Sequence, residues 1–84
     1  MLSSVKSLIP YLPKEDVTLA FKFLSAGDYT SLSELIDSAI ILIKKSRRDN
    51  SNKYKDIDLN SIRKLKSVLD SYILMIEINS GDYD

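Results

Sequence analysis

With 84 residues and no cysteine, the chain holds one domain at most, of a size at which a single core gives marginal stability and neither disulfides nor thiolate metal sites can reinforce it. Twelve basic and twelve acidic residues cancel, which removes the long-range positive field that holds a protein on phosphates; with no histidine either, the usual zinc sites and pairs of nucleophile and base are excluded. An apolar share of 44% beside a charged share of 29% is that of a chain that folds.

The first stretch, "MLSSVKSLIPYLPKED", carries an apolar patch but not the long apolar run and small-residue cleavage site of a secretory signal, so it is read as part of the fold. A cytoplasmic protein is expected, or a virion-associated one if phage-encoded. Abundant Ile, Lys, Asn, Ser and Tyr without Trp or His is a bias associated with AT-rich bacterial or phage genomes. Leu2, Val5, Leu8 and Ile9 recur at helical spacing, which predicts a short N-terminal helix cut off by Pro10 and Pro13. A second helix is expected over residues 13–26. Pro13 suits a first helical position, Glu15 and Asp16 place acid in the first turn, and Gly27 supplies a left-handed residue after the last.

Ser31 and Glu34 have the spacing of a capping box, so the third helix is expected over about 31–48. On a wheel of about 100° per residue, Leu32, Leu35, Ile36, Ala39, Ile40, Leu42 and Ile43 fall in one arc, and Ile41 alone points away. Residues 49–58 are polar without apolar period and read as a surface loop. Asp58 then caps a fourth helix over 59–79, which Gly81 ends, leaving an acidic tail over 80–84. Its apolar arc is Ile62, Leu65, Val68, Leu69, Tyr72, Ile73 and Ile76, with Met75 at the edge and Leu74 and Ile78 outside. Two long helices joined by a loop of about ten residues should lie antiparallel. The fold class is therefore all-α, a small helical bundle: a long helix hairpin with helix 13–26 and the N-terminal helix packed across it.

"FLSAGDYTSLSELIDSAIILI", with Gly27, Tyr29, Leu32, Ile36 and Ala39, resembles the helix-turn-helix of a tetratricopeptide repeat over about 20 residues. The resemblance implies two helices packed across a tight turn. No 34-residue period continues it, and a stable array needs about three repeats. "GDYT" and "GDYD" recur at Gly27 and Gly81, both at expected helix ends, so they indicate no duplication.

Two surfaces are candidates for binding. Helix 13–26 has apolar residues on a second face, Leu19 and Phe23, and helix 59–79 is apolar nearly all round in "SYILMIEI". Either the short helices cover these residues within one chain, or Leu19, Phe23, Leu74 and Ile78, with Ile41 as a lone contact, form an interface with a protein partner or a second copy. The basic run Lys44, Lys45, Arg48, extended by Lys53 and Lys55, is the candidate for nucleic acid or an acidic partner. Cations are also what the last turn of a helix favours, and a DNA-reading helix would not carry Glu34 and Asp37 near its start. "AIILI" before Lys44 is too short to span a membrane. The loop "DNSNKYKDIDLN" lacks the central glycine of a calcium loop and has Asn60 where a bidentate Glu belongs. No P-loop or dinucleotide fingerprint occurs. A non-catalytic assembly module, without cofactor, metal or small-molecule substrate, is expected, with a regulator acting through 44–55 as the alternative.

Overall fold

The computed structural model describes residues 2–79, and these form an all-α bundle: α1 (Leu2–Leu8), a 3-10 turn (Ile9–Tyr11), α2 (Lys14–Ala26), α3 (Tyr29–Arg48) and α4 (Leu59–Asn79). The acidic tail and the Gly81 stop lie outside the described residues. α1 ends where Pro10 enters, and the chain tightens into the 3-10 turn, closed by the Leu12 amide donating to the Ile9 carbonyl at 2.9 Å. Pro13 is the residue flanking α2, one position outside the helix expected to begin with it.

α2 stops as expected. Gly27 adopts φ 71°, its amide donates to Leu24, and the Asp28 amide reaches back to Phe23, the paired bonds of a Schellman end. Directly beyond it the chain departs from the capping box at Ser31. Asp28 caps α3, its Oδ1 accepting from the Ser31 amide at 3.2 Å, so the helix starts at Tyr29 and Ser31 lies inside its first turn. The Schellman end presents Asp28 one residue before Tyr29 with a carboxylate that satisfies the same orphan donor, so a serine cap is superfluous. The other end of α3 repeats the device with Asn50 in place of glycine: at φ 59° it donates to Arg47, while Ser51 donates to Ser46.

α3 and α4 run antiparallel, as three rungs show. The Ser33 hydroxyl donates to Asp70 at 2.9 Å, Lys66 bridges Asp70 at 2.6 Å and Asp37 at 3.4 Å, and the Arg47 guanidinium donates to the Ile57 carbonyl at 2.6 Å. Burial alone would lower the Lys66 pKa, but the hydrogen bond and charge of Asp70, with Asp37 behind them, raise it. α1 packs on α4 and α2 on α3. Leu2, Ser3 and Lys6 face Phe21, Leu24 and Ser25 across a shallow groove, so α1 and α2 are antiparallel too.

One core results, formed by Val5, Ile9, Leu12, Ala20, Leu32, Ile36, Ala39, Ile43, Tyr54, Ile62, Leu65 and Leu69. The periodicity placed most of these correctly. Leu42 and Ile76 are corrections: both belong to the expected arcs, yet both are exposed, because the arcs are wider than the stripe that the neighbouring helices cover. The polar loop is a further correction. Tyr54 from its middle is buried, and its hydroxyl donates to Glu15 Oε1 at 2.8 Å in the first turn of α2. Residues 49–58 therefore act as a strap that ties the α3–α4 connection to α2.

The strap is pH-sensitive in a defined direction. Backbone amide donation in its own helical turn, then the Tyr54 hydroxyl, hold the Glu15 carboxyl below its ordinary value of 4.5, whereas the bond to Glu15 raises Tyr54. A depressed carboxylate contributes stability above its unfolded pKa and loses it as pH falls through the folded value. The protection of amides over 51–57, taken relative to their intrinsic exchange at each pH, is thus expected to fall below about pH 4.5 in the wild type. In Tyr54→Phe the same amides should exchange faster already at neutral pH, with a weaker acid response.

Candidate interaction surface

Tyr29, the first residue of α3, meets Tyr72 edge to face, with ring centroids 5.2 Å apart and planes at 89°. Gly27, Asp28, Tyr29 and Thr30 line a shallow depression with Ile73, Ile76 and Glu77, so the α2–α3 turn lies at the level of the last turns of α4. α3 begins at this level. The last turns of α4 are apolar, with Leu74 57%, Ile78 52%, Met75 38% and Ile76 38% exposed. Leu74 and Ile78 are four residues apart and hence neighbours on one face, Met75 extends that face, and Ile76 lines a second shallow groove with Tyr72, Met75 and Asn79.

Of the residues singled out from sequence, Leu74 and Ile78 are thus brought together. Leu19 on α2 is exposed at the margin, and Phe23 is half-buried against the core. Ile41 is 66% exposed on α3, with Leu42 beside it at 46%. Met75 and Ile76 complete the α4 patch but were placed with the core arc or at its edge. Counting the turns of α4 past the Asp28 cap would have found them.

The cations Lys44, Lys45, Arg48, Lys53 and Lys55 are all exposed. They divide between the end of α3 and the strap, and Lys53 lies over the Tyr54 ring with its Nζ 5.2 Å from the centroid. Arg47 holds the far end of the strap through Ile57. Lys45, Arg47 and Arg48 occupy the last turn of α3, where they offset the partial negative charge of its free carbonyls. Among the described residues no three His, Cys, Asp or Glu side chains gather as metal ligands, and no helix is long and apolar enough to cross a membrane. No protein family, curated protein or solved structure matches this chain.

Proposed function

We propose that the chain is a non-catalytic association module that binds protein through the apolar end of α4. The observation that carries this reading is the exposure of Leu74, Met75, Ile76 and Ile78 within the last two turns of α4, with Leu74 and Ile78 neighbours on one face. Isolated exposed apolar residues are ordinary on any protein surface, but four within five consecutive positions are a patch that water penalises and a partner relieves. A role in assembly, as a small structural or accessory protein of bacterial or phage origin working in the cytoplasm or a virion, follows from this reading together with the composition.

The alternative class is a regulator that meets nucleic acid or an acidic partner through residues 44–55. Two variants separate them, each checked for wild-type helicity by circular dichroism. Leu74→Asp is expected to lose protein partners that immobilised wild type retains from extracts of the expressing cells, whereas alanine at Lys44, Lys45 and Arg48 should retain them. If the alanine variant instead loses a salt-sensitive affinity for mixed-sequence duplex DNA that Leu74→Asp preserves, the basic region is the functional surface.

A further inference from the structure

Beyond that reading, we infer that the outward face of α3 is a second association surface whose occupant is another copy of this chain, the two α3 helices lying antiparallel about a two-fold axis beside Ile41. This face is opposite the buried stripe of Leu32, Ile36, Ala39 and Ile43. Glu34, Ser38, Ile41, Lys45 and Arg48 run along it, all exposed, and their spacings alternate four and three, the interval of a helix-pairing seam. At 66%, Ile41 is the most exposed large apolar side chain among the described residues. Glu34, Lys45 and Arg48 make no side-chain hydrogen bond or ion pair among the described residues, so the fold leaves their charges to solvent.

The order of charge along the stripe identifies the occupant. Glu34 and Asp37 make it acidic before Ile41, and Lys44, Lys45 and Arg48 make it basic after. A surface with opposite charges on either side of an apolar centre complements itself when turned through a half rotation, which is what an isologous contact requires. Glu34 stands seven residues before Ile41 and Arg48 seven after it, so at about 1.5 Å per residue each lies about 10 Å from the axis and Glu34 meets the partner copy's Arg48 at both ends. On one flank Asp37, its side chain 56% exposed while it bridges Lys66, faces the partner copy's Lys44. On the other flank Leu42, exposed and next to the axis, meets its own copy. Parallel pairing would instead set each charge against itself, which like-charge repulsion disfavours. A nucleic acid fits the stripe less well, because Glu34 and Asp37 would be repelled by the phosphates that Lys45 and Arg48 attract. The Ser33–Asp70 and Asp37–Lys66 rungs set Ile41 level with Ile62, so at about 1.5 Å per residue Leu74 lies about 18 Å further along the bundle and its patch remains open in the dimer. Two apolar residues per chain fall short of the roughly 800 Å² per partner of a standard stable interface, so the dimer is weak and depends on its charges.

The test uses purified full-length chain at low salt, with the helicity of each variant matched to wild type by circular dichroism. In sedimentation equilibrium over a series reaching about 1 mM, where a weak dimer is populated, wild type is expected to rise from 9.5 kDa towards twice that mass. Ile41→Asp should abolish the rise, and Leu74→Asp should leave it unchanged. Glu34→Lys, and separately Lys45→Glu with Arg48→Glu, should each weaken dimerisation by about tenfold or more, while an equimolar mixture of the two variants re-associates because every introduced charge then faces its opposite. The chain has no cysteine, so Ile41→Cys places a single thiol beside the axis. Mild oxidation should link two such copies, whereas Ser67→Cys, exposed on α4, should stay single at the same concentration. Failure of the mixture to re-associate, or of Ile41→Cys to cross-link, overturns the antiparallel pairing. A wild type that stays at 9.5 kDa throughout, or a rise that Ile41→Asp leaves intact, overturns the α3 surface. The reading of the α4 end falls separately, if Leu74→Asp retains every partner that wild type binds.

Discussion

Leu69→Ala is expected to destabilise the protein by about 2 to 5 kcal/mol, the range for deleting a large aliphatic side chain from a packed site. Leu69 is fully buried on α4, in the one core shared by all four α-helices. The loss counts heavily here, because native domains hold only about 0.05 to 0.15 kcal/mol per residue, or about 4 to 13 kcal/mol for a chain of this length. Urea denaturation followed by circular dichroism should show a midpoint far below that of wild type. Leu74→Ala, on the same helix but exposed, should stay within about 0.5 kcal/mol. Equal losses at the two sites would mean that the α4 end is core, and would remove the basis of the association surface.

Enlarging a small core residue should cost nearly as much. Ala20 on α2 is fully buried and Ala39 on α3 almost so; both belong to the one core. Close-packed interiors have no spare volume to absorb three more carbons. Ala20→Leu is expected to destabilise by about 1 to 3 kcal/mol in the same denaturation experiment. Ala26→Leu, at the exposed end of α2, is the matched control and should change little.

Where local chemistry acts alone, the reading from sequence and the structure coincide. Gly27 ends α2 in the left-handed conformation, and Asp58 caps α4 by accepting from the Asn60 and Ser61 amides through Oδ1 and from the Ser61 hydroxyl through Oδ2. They diverge where two local signals compete. Ser31 and Glu34 have capping-box spacing, but Asp28 stands three residues earlier, and the chain leaving Gly27 delivers it first. The strap is a different kind of miss. One tyrosine in a polar decapeptide has no periodicity to announce it, and Tyr54 is buried only because α2 brings Glu15 to the place where it docks.

By itself, the sequence determined that this protein is a set of helices with two long antiparallel members, which residues end most of them, and most of the side chains that avoid water. Those properties follow from spacing and from backbone donors and acceptors satisfied within a few residues. Only the tertiary structure decided how much of each apolar arc is covered. A wheel assigns a face to Leu42, Ile76 and Leu74, but coverage depends on where a neighbouring helix starts and stops. α3 begins at Tyr29, level with Tyr72 of α4. Leu74 and Ile78, in the turns that follow Tyr72, stay exposed, and it is this end of α4 that we assign to association.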